Sequence, residues 1–211
     1  MNDRTREILK KTGAYRPLFI VNGYWMWFIQ SLLPDKVGRA PSWLHKISTV
    51  KKYGRTLGAN ILVETGTYRG DTINGCKRSF DTIYSVELGD ELYKKAMERF
   101  AGDANIHLFL GDSAAFLKQL VPKIIEKVVY WLDAHYSGGV TVKGKEQTPI
   151  IGELETVLSH WVSGSAILID DAGCFDGKHA GYPSLEELRC MVAERNPKLS
   201  VEVKRNIIRM S

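Results

Sequence analysis

The chain has 211 residues, enough for one domain with a substantial core and a short appendage. Its 44% hydrophobic and 25% charged residues are typical of a soluble globular protein, and the net charge of +5 is a mild basic bias. We attribute this bias to a solvated surface rather than to anionic partners, and expect no nucleic-acid partner, because no helix-turn-helix or RNA-binding signature accompanies it. Three widely spaced cysteines (Cys76, Cys174 and Cys190) argue against a disulfide framework or a zinc site. With no apolar signal segment after Met1, they favour a cytoplasmic protein.

Residues 1–58 differ from the rest and predict an N-terminal helical and aromatic extension, ahead of a main domain at 59–211. The segment Leu18–Leu33 is apolar and aromatic but too short and too polar for a membrane span. Three interpretations stay open: a helix packed on the main domain or in a homodimer, a peripheral membrane helix beside basic residues, and a cover for the substrate pocket. After a break, Ser42 is predicted to cap a helix that ends near Leu57.

From Asn60 onward, apolar strands alternate with amphipathic helices. This alternation predicts a doubly wound α/β domain whose parallel sheet is covered on both faces. Seven strands are predicted, at Ile61–Glu64, Thr82–Glu87, Ile106–Leu110, Val128–Leu132, Ala166–Ile169, Ser200–Lys204 and Ile207–Met210. Helices are predicted at Asp71–Ser79, Asp90–Phe100, Ala114–Leu120, Ile150–Trp161 and Ser184–Glu194.

Each of the first five predicted strands ends in an acidic residue or is closely followed by one. Because ligands of such sheets bind beyond the carboxyl ends of the strands, these carboxylates are expected to line one edge. The acids are Glu64, Glu87, Asp112, Asp133, Asp170 and Asp171.

The turn after the first strand has two glycines, Gly66 and Gly70, which let the backbone turn tightly beside a ligand. This spacing lacks the denser glycines that a dinucleotide pyrophosphate needs, so a nicotinamide or flavin site is not expected. Glu87 stands where an acid can hold a ribose diol, and Asp112 where it can meet an adenine amino group. Glu64 and Thr72 are left to hold the charged end of an amino acid.

These residues together resemble the class I S-adenosylmethionine-dependent methyltransferases. The segment Glu64-Thr-Gly-Thr-Tyr-Arg-Gly70 is similar to the first motif of that family, although Thr67 and Tyr68 stand where a third glycine is common. The resemblance covers roughly residues 60–211 and implies a Rossmann-like, mostly parallel seven-stranded sheet with one antiparallel strand. It also implies S-adenosyl-L-methionine as cofactor, held by Glu64, Gly66, Tyr68, Gly70, Thr72, Glu87, Asp112, Ser113 and Asp133.

Three carboxylates at the ends of the fourth and fifth strands predict a metal site. Asp133, Asp170 and Asp171 would repel one another unless they bind a cation or lie well apart, and a hard divalent cation lowers the pKa of a bound hydroxyl. The arrangement resembles the magnesium site of catechol-type and macrolide-sugar-type O-methyltransferases. The alternative is that Asp170 or Asp171 only caps the following turn.

His135 and Tyr136 are the candidates for the general base. His135 has a side chain that titrates near neutral pH and lies two residues after Asp133. The resembling families place the base three residues after that aspartate, which is Tyr136 here, and a packing role for His135 is the alternative. The loops at 137–148 and 173–182 are expected to frame the acceptor, as a lid or as ordinary solvated loops.

The sequence therefore predicts an S-adenosylmethionine-dependent O-methyltransferase, assisted by Mg²⁺ or a similar divalent cation and acting on a small molecule or a sugar. The enzymatic alternative is a metal-independent N- or carboxyl-methyltransferase. The non-enzymatic alternative is a cofactor-binding or membrane-recruiting module whose functional part is Leu18–Leu33.

Overall fold

A computed structural model describes residues 42–133, 149–179 and 181–211, which form alternating strands and helices. The strands are β1 (Ile61–Thr65), β2 (Thr82–Glu87), β3 (Ile106–Leu110), β4 (Val128–Leu132), β5 (Ala166–Ile169), β6 (Val201–Lys204) and β7 (Ile207–Met210). The α-helices are α1 (Trp43–Leu57), α2 (Asp71–Cys76), α3 (Asp90–Arg99), α4 (Ser113–Leu120), α5 (Ile150–Ser159) and α6 (Leu185–Arg195). Short 3₁₀ turns lie at Val121–Lys123 and Ala172–Cys174.

The strands form one seven-stranded sheet in the order β3-β2-β1-β4-β5-β7-β6. The first five strands pair in parallel, whereas β7 runs antiparallel to both β5 and β6. The predicted doubly wound, mostly parallel seven-stranded sheet is confirmed. The register aligns Thr65 with Val86 on one side and with Leu132 on the other, so the residues that follow these strands meet at one edge.

The central strands are buried on both faces, which explains their continuous apolar sequences. Alternate residues of each strand point to opposite faces: Val63 and Tyr130 belong to one apolar cluster, and Leu62 and Trp131 to the other. Helices α4, α5 and α6 cover the first face, and helices α1, α2 and α3 contribute to the second. The core therefore lies in two layers, one on each side of the sheet.

Helix α1 packs tightly on the second layer. The Ser42 side chain caps it by accepting a hydrogen bond from the His45 N–H at 3.3 Å, as the sequence predicts. Ile47 is buried against Gly75 of α2, where an added Cβ would lie 2.5 Å from Ile47 Cδ1. Such a close approach needs glycine, and it lets α1 pack closely against α2.

The segment Leu18–Leu33 and the loop at 137–148 lie outside the described residues, so the predictions made for them stay predictions. Among the helices that the structure describes, none is long and apolar enough to span a bilayer.

Candidate functional site

The glycine turn between β1 and α2 has the backbone that its sequence predicts. Gly66 and Gly70 have φ angles of 85° and 70°, in the left-handed region that glycine adopts without strain. Tyr68 also has a positive φ, 49°, and its side chain is exposed at the edge of the sheet. Gly70 meets a second constraint, because a Cβ there would lie 2.6 Å from the Phe100 ring.

Four backbone N–H groups of this turn are used within the protein. Gly66 and Thr67 both donate to the Val86 carbonyl, at 3.0 and 3.1 Å, and Gly70 donates to the Thr67 carbonyl at 2.8 Å. The Tyr68 N–H donates to Glu87 Oε2 at 2.7 Å. A pyrophosphate site needs such N–H groups free to bind phosphate oxygens. These four bonds therefore favour a ligand without phosphates over a dinucleotide.

Glu64 is a buried carboxyl at the end of β1, with 2% of its surface exposed. Its Oε2 accepts a hydrogen bond from the Ser85 hydroxyl at 2.7 Å, and the Thr72 hydroxyl also hydrogen-bonds this carboxyl. Burial is the main reason that the pKa of Glu64 rises to about 8, and the Asp133 charge adds to the rise. A cationic group bound beside Glu64 would favour its ionised form, which suits the predicted contact with an amino-acid ammonium.

Glu87 joins the ends of β1 and β2. Its Oε2 accepts from Tyr68 N–H and its Oε1 accepts from Gly89 N–H at 2.9 Å, so both oxygens are held by backbone. Each carboxylate oxygen can accept more than one hydrogen bond, so ribose hydroxyls can still be bound there. The carboxylate is thus fixed in place before any ligand arrives.

Asp112 and Ser113 lie at the start of α4. Asp112 Oδ1 accepts from the Ala115 N–H at 2.9 Å, so this side chain caps the helix, a role that the sequence analysis did not assign to it. Ser113 is buried and hydrogen-bonds Glu153 of α5. Contact of Asp112 with adenine stays a prediction.

Glu153 is a site residue that sequence reasoning missed. It is 1% exposed, and its Oε2 accepts from the Thr65 hydroxyl at 3.3 Å. The same hydroxyl accepts from the Asp133 N–H at 3.3 Å, which links α5 to the ends of β1 and β4. Burial raises the pKa of Glu153 to about 7, and its Oε1 has no hydrogen-bond partner among the described residues. Its spacing from Ile150 and Val157 on the apolar face of the helix is the signal that would have predicted its burial.

The three predicted metal ligands lie together. One carboxylate oxygen from each of Asp133, Asp170 and Asp171 lies within 4.8 Å of the others. Asp170 is buried, and its Oδ1 has no hydrogen-bond partner within the described part of the chain. Asp171 has a φ of 53° and its Oδ1 accepts from the Asn206 side-chain amide at 3.3 Å. Asn206, in the β6–β7 turn, is a further residue that sequence reasoning missed.

Lys46 of α1 reaches the same carboxylates, and the sequence analysis did not predict this. Its Nζ forms an ion pair with Asp170 Oδ2, and 25% of the lysine side chain is exposed against 1% of the aspartate. Burial lowers the pKa of Lys46, but the charges of Asp133 and Asp170 outweigh burial and leave the pKa raised. Burial and the Asp133 charge raise the pKa of Asp170, against the influence of Lys46. Lys46 lies on the same helix face as Trp43 and Val50, and this spacing was the sequence signal that Lys46 faces the rest of the domain.

The donor set fits a hard divalent cation. Carboxylate oxygens are the ligands that Mg²⁺ and Ca²⁺ prefer, and a buried Asp170 Oδ1 without a partner is an atom that such an ion would satisfy. The candidate bases His135 and Tyr136 lie outside the described residues, so their roles stay predictions.

Known structures with this fold include methyltransferases. The chain matches an O-methyltransferase from Streptomyces achromogenes in complex with S-adenosylmethionine at a TM-score of 0.58 and 15% identity, over 82% of this chain and 80% of that one. It matches a methyltransferase from Podospora anserina bound to S-adenosylhomocysteine at a TM-score of 0.59 and 15% identity, over 100% of this chain and 96% of that one. An O-methyltransferase from Bacillus cereus in complex with S-adenosylhomocysteine matches at a TM-score of 0.58 and 14% identity, over 91% of this chain and 90% of that one.

The sequence itself matches no protein-family profile and no curated protein sequence. At the identities of the structural matches, the likeness concerns the fold. The strand order, the antiparallel β7 and the glycine turn after β1 agree with it. The chain has the Rossmann-like fold of the class I S-adenosylmethionine-dependent methyltransferases.

Proposed function

We propose that this protein is an S-adenosylmethionine-dependent O-methyltransferase that uses a divalent cation and acts on a hydroxyl of a small molecule or a sugar. The observation that carries the proposal is the position of the acidic cluster next to the glycine turn. The Asp133 N–H donates to the Thr65 carbonyl at 3.2 Å, so the cluster begins one strand away from Gly66. A methyl donor held at the turn and an acceptor held at the cluster would be neighbours.

The cofactor half of the proposal is supported by charge and by hydrogen bonding. Glu64 offers a buried carboxyl for the ammonium of the methionine moiety, and Glu87 offers a fixed carboxylate for the ribose hydroxyls. The internal N–H bonds of the turn argue against a phosphate-containing cofactor. S-adenosylmethionine has the ammonium and the ribose, and it has no phosphate.

The chemistry is an in-line displacement. The acceptor oxygen attacks the methyl carbon, the carbon–sulfur bond breaks, and its electron pair stays on sulfur to give S-adenosylhomocysteine. A divalent cation held by Asp133, Asp170 and Asp171 would make the acceptor hydroxyl more acidic. The hydroxyl proton must leave to a base, for which His135 and Tyr136 are the candidates. Glu64 and Glu87 orient the donor, which supplies part of the rate enhancement.

The experiment has two steps. S-adenosylhomocysteine should raise the melting temperature of the full chain, and Gly66→Val, which forces a β-branched residue to φ 85°, should remove that rise. Acceptors bearing phenol, catechol or sugar hydroxyls are then screened with S-adenosylmethionine and Mg²⁺, with and without EDTA. A parent protein whose melting temperature does not change with the cofactor product contradicts the proposal.

A second candidate function is a metal-independent methyltransferase that acts on nitrogen or carboxylate acceptors. The observation that favours it is the ion pair between Lys46 and Asp170, which already brings one positive charge to the acidic cluster. Turnover that survives both EDTA and Asp170→Ala would support this candidate over the first.

A further inference from the structure

Lys46 is held at the acidic cluster by the packing of helix α1. Ile47, the next residue, is buried against Gly75, and Val50, one turn further, is fully buried in the same layer. Three quarters of the Lys46 side chain is buried as well, and its ammonium forms an ion pair with Asp170. The fold therefore places a cation, from a helix that precedes β1, among the carboxylates at the ends of β4 and β5.

The two oxygens of Asp170 have different environments. Oδ2 is bound by the Lys46 ammonium, whereas Oδ1 is buried and lacks a hydrogen-bond partner among the described residues. Asp133 and Asp171 also attract the ammonium, since both of their charges act on Lys46. The Lys46 ammonium therefore interacts with the same three carboxylates that a divalent ion would need as ligands.

Resting on the proposed function, we propose that Lys46 competes with a divalent metal ion for the Asp133, Asp170 and Asp171 carboxylates. An ammonium and a metal ion within the same cluster repel each other strongly, because the interior screens charge less than water does. When the metal binds, the Lys46 side chain therefore turns away from Asp170 toward solvent, which its exposed fraction permits. The metal affinity of this protein is lowered by its own lysine.

The test is a calorimetric titration of the full chain with Mn²⁺, at about pH 8 so that protons compete little for the carboxylates. We expect Lys46→Met to bind Mn²⁺ about tenfold more tightly than the parent, or to bind where the parent shows no heat. Lys46→Arg keeps the charge and should bind no more tightly than the parent. Lys52→Met is the matched control, because Lys52 is exposed on the same helix and its loss changes the net charge equally.

A second measurement needs no variant. Reductive methylation of the parent, followed by mass spectrometry, reports how accessible each lysine is. Mn²⁺ should increase the labelling of Lys46 and leave that of Lys52 unchanged. Unchanged or weaker Mn²⁺ binding in a folded Lys46→Met protein, or Lys46 labelling that does not rise in a parent that binds Mn²⁺, overturns the competition.

The failure of this inference differs from the failure of the proposed function. If no variant binds Mn²⁺, the competition is wrong, while binding of S-adenosylhomocysteine and turnover in EDTA still test the methyltransferase. If S-adenosylhomocysteine does not bind, the proposed function is wrong, while the Mn²⁺ titrations still test the competition.

Discussion

The glycine-turn half and the acidic-cluster half of the site both contain buried carboxyls, but they satisfy them differently. Glu64 and Glu87 accept hydrogen bonds from hydroxyls and backbone N–H groups, so their positions are fixed by the fold alone. In the other half, Asp170 has a buried oxygen without a partner within the described residues and a lysine on its second oxygen. The first half is organised before a ligand binds, whereas the second retains excess negative charge that a cation would balance.

The largest effect is expected in the acidic cluster. Asp170→Asn removes one ligand charge, so turnover with an identified acceptor should fall roughly a thousandfold, as for the loss of a main electrostatic contact in other enzymes. Binding of S-adenosylhomocysteine should be unaffected. Asp81→Asn, an exposed acid just before β2 and away from the carboxyl ends of the strands, is the control for charge. Steady-state kinetics measures turnover, and calorimetry measures binding of S-adenosylhomocysteine. An equal loss of turnover and of binding would contradict the view that the two halves of the site act separately.

The reciprocal change is Glu87→Gln. The glutamine side chain has no charge and only one acceptor oxygen, so it can accept from Tyr68 N–H or from Gly89 N–H but not from both, and it binds the ribose hydroxyls less strongly. We expect the Kd for S-adenosylhomocysteine to rise about tenfold to a hundredfold. Mn²⁺ binding should not change. Glu91→Gln is the control, because the Glu91 side chain on α3 is 90% exposed. An unaltered Kd would show that Glu87 does not bind the cofactor.

Gly70→Ala tests the packing of the glycine turn. The new methyl would lie 2.6 Å from the Phe100 ring at a φ of 70°, so the free energy of unfolding should fall by about 1–3 kcal/mol. Gly102→Ala is the matched control, because no atom lies within 4 Å of its Cβ and no positive φ is needed. Denaturant unfolding of both variants measures the difference, and equal stabilities would show that the turn is not constrained at Gly70.

Glu64 is expected to make the stability of the folded protein depend on pH. Because burial raises the pKa of Glu64 from 4.5 to about 8, the folded protein holds this proton more tightly than the unfolded chain does. Its contribution to stability is therefore fully present below pH 4.5 and is lost as pH rises toward about 8. In Glu64→Gln the free energy of unfolding should decline less steeply over this pH range. Denaturant unfolding across that pH range measures it, and identical slopes in parent and variant would contradict the raised pKa.

Cofactor binding gives a sharper test of the same carboxyl. If the ammonium of the cofactor lies beside Glu64, binding favours the ionised carboxyl and releases a proton near neutral pH. The heat of binding should then depend on the ionisation enthalpy of the buffer in the parent protein and not in Glu64→Gln. A heat of binding that does not depend on the buffer in the parent protein would show that Glu64 does not contact the ammonium of the cofactor.

The sheet was largely predictable because its strands are short apolar runs between turn residues. Thr82–Glu87 and Val128–Leu132 have the predicted bounds. Parallel strands also bring their carboxyl ends to one edge, so the clustering of Asp133 with Asp170 follows from topology. Helix ends were less accurate: α5 ends at Ser159 rather than at Trp161, since the hydrophobic pattern continues past the hydrogen-bonded helix.

What the sequence did not reveal are charged residues that face the interior. Lys46 and Glu153 each lie on the apolar face of an amphipathic helix, but charged side chains are usually solvated, so neither was predicted to reach the site. Asp112 was predicted to contact adenine and is seen capping α4, a role that the same residue type serves equally well. The contacts of Lys46 depend on how α1 packs on the sheet, and pairing of elements far apart in sequence is not encoded in local periodicity.

The most direct test of the account is a calorimetric titration of the full chain with S-adenosylhomocysteine and, separately, with NADH. We predict saturable binding of S-adenosylhomocysteine that Glu87→Ala weakens, and no binding of NADH, because four N–H groups of the glycine turn are already bonded within the protein. Binding of NADH, or no heat with S-adenosylhomocysteine, would contradict the account.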